Sequence, residues 1–424
     1  MEIPDTAPAR APGAALTPLT PYHYKLLAFL SVATFFEGYD FIALTRILHK
    51  LEVEFHLSKS GIGDMVGVIN AGTIVAALLV RRADVWGRRR VMSVTIVGYT
   101  VMSLVSAFAP EVISFAVAQF LARVFLIGEW ATAMVYAAEE FPADRRGTVI
   151  GIIQGCSSLG GIVCVGVVPL MLNHSPLGWR TVYIAGAVPL IIIAFARRTL
   201  RESARFEKAQ AERTEPRAPL LALLQGPYRS RVLVVALCWA LTYVCGQTAI
   251  TFWTAFATRE RGFTENQVSG ALTIAAVGSL PMIFGVGKLL DVAGRRVGAA
   301  IIFVLTSLGV ALAYTLHGRW ALTAALVLAI FGVSAVLPVL NAFTAELFPT
   351  EMRSDAFAWC NNLLGRLGYV AAPIVVGRVA ESTGWGPAVA STAVFPLLAL
   401  AVILAKLPET QGRELEDTSK LAAH

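Results

Sequence analysis

The chain is short of charge. Only 15% of its 424 residues are Asp, Glu, Lys or Arg, against about 25% in an ordinary soluble protein. With 56% hydrophobic residues alongside, that deficit excludes a soluble globular chain and points to a polytopic helical membrane protein. Cysteine is scarce too. Cys156, Cys164, Cys238, Cys245 and Cys360 are odd in number and all fall in apolar stretches, which excludes a disulfide framework and leaves small apolar filler. No metal-ligand spacing, ATP-site pattern or nucleophile constellation is present. No metal, no cofactor and no enzymatic chemistry are therefore expected. The net charge of +7 is no nucleic-acid signature, because the basic residues sit between apolar runs. Residues 1–24 are Ala/Pro-rich and lack a basic stretch leading into an apolar one, so they read as a disordered tail and not as a cleaved signal.

What the chain has is apolar length. Twelve spans are predicted, at about 26–46, 61–82, 91–109, 112–138, 147–172 and 179–198, then 231–257, 267–289, 298–316, 320–343, 354–379 and 386–406. The domain reading is a bundle over 25–198, a polar linker over 199–230 carrying Pro216, Pro219 and Pro227, a second bundle over 231–406, and a tail from 407 to 424. With the N-terminus in the cytoplasm, 25 Lys and Arg residues fall on the cytoplasmic side and 8 on the other; Arg123 and Arg366 lie inside spans and complete the 35. The positive-inside rule then predicts both termini in the cytoplasm.

The two halves repeat each other. Asp84-Val-Trp-Gly87-Arg88-Arg89 recurs as Asp291-Val-Ala-Gly294-Arg295-Arg296, an offset of 207. Phe141-Pro142 recurs as Phe348-Pro349, and Glu202 as Glu409, at that same offset. Three loop motifs on one side at one spacing predict two parallel six-span units.

Against this apolar background stand two acids in span one, Glu37 and Asp40. Each costs about 2.5–3.5 kcal/mol at mid-membrane, while an apolar residue returns only about 0.3–0.6 kcal/mol. Three residues apart, they share a helix face that must look into protein or a wet cavity, and such groups mark ion or substrate paths.

The loop motifs resemble those of the major facilitator superfamily, over essentially the whole chain. Asp-x-x-Gly-Arg-Arg is that superfamily's most diagnostic pattern. Arg201-Glu-Ser-Ala-Arg205 and Pro408-Glu-Thr-Gln-Gly412-Arg413 resemble sugar-porter endings. Glu37-Gly-Tyr-Asp40, Gly128-Glu129-Trp130 and Glu139-Glu-Phe-Pro-Ala-Asp-Arg-Arg-Gly147 resemble the organic-acid and metabolite:proton symporters. Two departures stand out. Val80 replaces the glycine expected four residues before Asp84, whereas Gly287 keeps it before Asp291. Arg123 precedes Glu129 by about one helical turn less than is common.

The resemblance implies an all-α fold of twelve helices in two pseudo-symmetric six-helix bundles. It makes Asp40 a proton-coupling carboxylate with Arg123 as partner and Glu37 beside it. It makes Asp84, Gly87, Arg88, Arg145, Asp291, Gly294, Arg295 and Arg353 a cytoplasmic gate, pairing across the halves to latch that side closed in the outward-open state. The residues themselves offer cavity candidates. Trp239, Tyr243 and Gln247 recur at four-residue spacing, Asn362 and Arg366 stand one turn apart, and Glu129, Gln154, Asn341 and Asn361 are polar groups within spans. An intramembrane Arg366 suits an anionic substrate.

The expectation is a secondary transporter, working as a monomer in a bacterial inner membrane. It moves a small polar metabolite, an organic or aromatic acid, with protons. The alternatives are a proton-antiporting exporter of a toxic or biosynthetic compound, and a solute sensor or assembly factor without net transport. The Gly-Pro-x-x-Gly-Gly signature of drug:proton antiporters is absent from span five, where Ser158-Leu-Gly160-Gly161 stands.

Overall fold

A computed structural model describes residues 17–196, 200–202, 222–349 and 352–411. The Asp84 side chain, most of the N-terminal tail, the middle of the expected linker and the C-terminal Gly412-Arg413 lie outside the described part. Eleven of the described helices are long and apolar enough to cross a bilayer, and a shorter apolar helix completes twelve.

The first half comprises α1 (Pro21–Glu54), α2 (Lys59–Trp86), α3 (Arg88–Ala107), α4 (Val112–Glu140), α5 (Ala143–His174) and α6 (Arg180–Ala196). In the second half, α7 is broken at Phe252 into Arg229–Thr251 and Trp253–Arg259. It is followed by α8 (Glu265–Ala293), α9 (Arg295–Thr315) and α10 (Arg319–Glu346). Next, α11 runs as Arg353–Phe357, a π-helical stretch Ala358–Gly365, and Arg366–Thr383. Last comes α12 (Trp385–Lys406). No strand occurs among the described residues.

Local sequence sets several of these ends. Thr20 caps α1, accepting the His23 amide at 3.3 Å, with Pro21 in the first turn. Thr264 caps α8 through the Gln267 amide at 3.3 Å. Gly87 and Gly294 turn the chain between α2 and α3 and between α8 and α9 with φ of 93° and 94°, a region that penalises any side chain. That is the physical content of the repeated glycine in the two loop motifs.

The face where the described chain begins and ends is here the near face; the opposite one is the far face. At the near face each half is strapped to itself. Arg88 donates from Nε and Nη2 to Glu139 Oε1 at 3.2 and 3.0 Å, and the Arg88 amide donates to Glu202 Oε1 at 2.8 Å. In the second half Arg295 donates from Nε and Nη2 to Glu346 Oε1 at 3.2 and 2.9 Å, and its amide donates to Glu409 Oε1 at 2.8 Å. The strapped residues are separated by 51 and 114 positions in both copies. Each strap sets a carboxylate on the free amides of a helix N-terminus, where the dipole favours it. Among the described residues Arg88 and Arg295 pair within their own halves; pairing across the halves is what the resemblance implies for a near-closed state, and the Asp84 side chain lies outside the described residues.

The far face is the reverse. Its hydrophobic core runs unbroken through both halves, from Leu44, Leu48 and Trp179 to Trp253, Phe256 and Trp385. On α2 and α11, a Cβ at Gly63 would lie 2.3 Å from the Pro373 carbonyl oxygen, and one at Gly377 would lie 2.7 Å from that of Lys59. Only glycine allows so close an approach. Toward the near face, Cβ atoms added at Gly151, Gly155, Gly285 and Gly287 would meet nothing within 4 Å. The molecule is closed at the far face and open between its halves at the near one.

Candidate functional site

The length of α1 sets the depth of its polar groups. Its 34 residues span about 51 Å, so Glu37 and Asp40 sit at the middle and Arg46 and His49 approach the far edge of about 30 Å of hydrocarbon.

The far-face closure is a polar latch. Arg46, 0% exposed, donates to Ser269 Oγ at 2.8 Å, to Glu265 Oε2 at 3.3 Å and to Thr254 Oγ1 at 3.5 Å. His49 Nε2 lies 2.5 Å from Glu265 Oε1. Outside this buried tier is an exposed one, in which Arg259 meets Glu52 at 3.3 Å, Arg378 meets Asp64 at 3.3 Å, and Glu381 accepts from the Ser60 amide at 2.9 Å. These contacts join one half to the other. Sequence reading placed Arg46 and His49 in a loop because it ended span one at Arg46. The usable signal was the Thr264–Gln267 cap, which puts Glu265 in the first turn of α8.

At mid-membrane the halves face each other across charged side chains. Asp40 is 2% and Arg123 3% exposed. Arg123 acts electrostatically on Asp40, and the Tyr99 hydroxyl is a polar neighbour. Arg123 lies 5.5 Å over the Phe41 ring, with Nε and Nη1 unpartnered. Glu37 accepts from Ser157 at 3.1 Å and lies within the fields of Arg123 and Arg366. It borders a cavity of about 440 Å³ between the halves, shared with Ser158, Thr273, Ser279 and Ser334.

From the second half, Arg366 lies against two aromatic rings that meet edge to face with centroids 5.5 Å apart, its guanidinium carbon 5.1 Å from the Tyr243 centroid and 4.9 Å from that of Tyr369. The Tyr243 hydroxyl donates to Asn361 at 2.6 Å, and the Tyr369 carbonyl accepts from Asn70 of α2 at 3.3 Å. Guanidinium stacked on tyrosine keeps its N–H edge free for a planar anion. No group of three metal-ligand side chains occurs among the described residues.

The Major Facilitator Superfamily model matches residues 30–263 and 240–423. The chain belongs to the Major Facilitator Superfamily. It is 28% identical over 398 residues to a probable 4-methylmuconolactone transporter of Cupriavidus pinatubonensis, covering 92% of this chain and 91% of that protein. It is 26% identical over 401 residues to a gallate transporter of Pseudomonas putida, covering 85% and 86%. Among solved structures, a D-xylose-proton symporter superposes with a TM-score of 0.74 at 17% identity, over 92% of this chain and 99% of that one. The chain is a multi-pass membrane transport protein and not an enzyme.

Within that fold, the structure redistributes the residues singled out from sequence. Tyr243, Asn361, Arg366 and Gln247 gather around Tyr369, and Glu37, Asp40 and Arg123 lie opposite. Asp40 and Arg123 are close yet form no ion pair among the described residues. Glu129 leaves the cavity: it accepts from Thr95 of α3 at 2.7 Å, because six residues past Arg123 is about 240° round the helix. Trp239 is buried in the second half with its indole donating to Thr344 at 3.1 Å. A four-residue stripe drifts by about 40° per step, so its far end turns out of the cleft.

Gln154 pairs with Trp130 at 3.4 Å on an exposed face, and Asn341 is exposed and hydrogen-bonds to none of the cluster. Asn362 gives way to Asn361 beside Arg366. Arg145 donates to the Thr17 carbonyl at 3.2 Å, Arg353 opens α11, and Asp291 pairs with Arg295 at 2.9 Å. Although Val80 replaces the motif glycine, α2 approaches α4 closely at Gly72, where a Cβ would lie 2.5 Å from the Phe120 carbonyl oxygen, while Gly287 has no near neighbour.

Proposed function

We propose that this protein is a proton-coupled transporter of a small organic acid, an aromatic or unsaturated carboxylate, working by alternating access. One observation carries the reading: Arg366 stands at mid-membrane against the Tyr243 and Tyr369 rings with no carboxylate pairing it among the described residues. An intramembrane cation without an ion-pair partner is costly and marks a path. Its flanking rings suit a flat acid. Relatives named as transporters of 4-methylmuconolactone, gallate and cis,cis-muconate carry substrates of that chemistry.

In this reading the acid's carboxylate takes the N–H edge of Arg366 while its body lies against Tyr243 and Tyr369. Asp40 and Glu37, facing Arg123, carry the proton. Burial favours the neutral acid and an approaching arginine favours the carboxylate, so rocking that changes the Arg123 distance can load and release it. The near face is cytoplasmic by the distribution of Lys and Arg, the membrane is a bacterial inner membrane, and the monomer is the working unit.

The test is uptake of gallate, cis,cis-muconate, benzoate and a neutral sugar into proteoliposomes under an imposed pH gradient, with Arg366→Gln beside wild type. Uptake of at least one acid should follow the gradient, and Arg366→Gln should reduce it at least tenfold. Gradient-driven uptake of the sugar alone, or an Arg366→Gln variant that moves acids like wild type, would overturn the reading.

A further inference from the structure

The stretch before Arg366 is wound wider than the helices around it. Over Ala358–Gly365, eight residues run as π-helix, with hydrogen bonds spanning five residues in place of four. Such turns are rare, and they occur mostly as single turns at functional positions. An eight-residue run has to be held by something.

What holds it here is register. In an α-helix the residue one turn before Arg366 is Asn362; in the π winding it is Asn361. The structure has the second arrangement: Asn361 accepts from the Tyr243 hydroxyl at 2.6 Å and Arg366 lies 5.1 Å over the same ring. The sequence places an identical side chain at the next position. Asn362 therefore offers Tyr243 the same amide if the segment winds as α-helix. A Cβ at Gly365 would lie 2.8 Å from the Trp239 Cβ, and one at Gly368 would lie 2.2 Å from the Ala240 carbonyl oxygen, so α11 meets α7 through glycine faces. Arg366 Nε is buried without a partner in the present register.

We propose that α11 has two registers, and that Asn361 and Asn362 are alternate positioning residues that hold Tyr243 under Arg366. The π register belongs to the near-open state seen here and the α register to the far-open state. The change turns the near-face part of α11 against Arg366 by about one residue, roughly 100° and 1.5 Å, a register shift of the kind that switching proteins use. It keeps the anion anchor assembled in both states while the helix below it re-aims. The role given to Arg366 rests on the organic-acid reading; the register change itself does not.

The test needs no substrate. A fluorotyrosine is incorporated at position 243 of the full chain, and fluorine NMR spectra are taken with nanobodies that select the near-open or the far-open state. Asn361→Ala should move the resonance in the near-open state only, and Asn362→Ala in the far-open state only. If one variant moves both resonances, or Asn362→Ala moves neither, the two-register proposal is overturned. A continuous α-helix from Arg353 to Thr383 in a far-open structure would agree with it, and a retained π run would contradict it. Failure of the acid reading shows separately, in the Arg366→Gln uptake assay.

Discussion

The near-face straps and the far-face latch are built from the same side chains to opposite ends. At the near face, the bonds of Arg88 to Glu139 and Glu202 and of Arg295 to Glu346 and Glu409 repeat in both halves, each within its own half. The far-face latch of Arg46, His49, Glu265 and Ser269 crosses between the halves and has no second copy, since Trp253 stands where the 207-residue repeat would place a second Arg46. The repeated contacts keep each half rigid. The unrepeated ones are the contacts that a rocking of the halves would break. The far face shows both kinds side by side. Glu54 accepts from the Trp179 indole at 2.5 Å, and Glu260 from the Trp385 amide at 2.5 Å, over the same separation of 125 residues; both bonds stay within halves.

If that division is right, variants at the two faces fail in different ways. The largest effect is expected at the latch. Arg46→Ala leaves Glu265 without its buried guanidinium, a loss of about 3–5 kcal/mol felt by the far-closed state alone. Ser269→Cys should then become reactive to an impermeant thiol reagent from the far side; unchanged reactivity would remove the latch from the account. Arg295→Ala breaks charge-assisted bonds in one half, at about 1.5–3 kcal/mol. It should lower the melting temperature of the purified protein while leaving that thiol reactivity as in wild type. A shift in reactivity would mean that the straps also gate.

Gly377→Val tests closure without charge. Crowding α2 against α11 costs about 1–3 kcal/mol and should favour the far-open state roughly 5- to 150-fold, again read by Ser269→Cys. The smallest effect is acid sensitivity of the strap at Glu409. Burial pushes its carboxyl up, but the amides of Arg296, Arg295, Gln411 and Thr410 outweigh burial and hold it below the usual range. A carboxylate held low adds stability above its unfolded-state value and loses it as pH falls through the folded one. Glu409→Gln should therefore lower the melting temperature at neutral pH, and the gap from wild type should close in acid. A gap that persists in acid would argue against the strap.

The sequence made some parts of this legible and hid others for reasons of geometry. Twelve apolar runs, the repeat and the strap residues could be read because each is local or recurs at a fixed distance. Gly87 and Gly294 announced turns that only glycine makes. The latch could not be read, because α1 continues to Glu54, well past the apolar run, and carries Arg46 and His49 into the closure. Trp239 and Glu129 looked like cavity residues because spacing gives a helix face without saying what that face meets; Thr344 and Thr95 meet them. Asn361 and Asn362 are both expected at the cavity, and α spacing puts Asn362 one turn from Arg366; the chain winds as π there, which brings Asn361 to Tyr243. Tyr369 shares a helix face with Arg366, which lies three residues before it, but spacing alone does not say that its ring packs on the guanidinium.

The account turns on Asp40 as a carrier of the proton that drives the acid. The direct measurement compares wild type with Asp40→Asn in proteoliposomes, using an acid that wild type accumulates, in two modes: accumulation driven by a pH gradient and counterflow exchange without one. The account predicts that Asp40→Asn loses accumulation and keeps exchange, because the site still binds and rocks but no longer couples. Gradient-driven accumulation that survives in Asp40→Asn would contradict it.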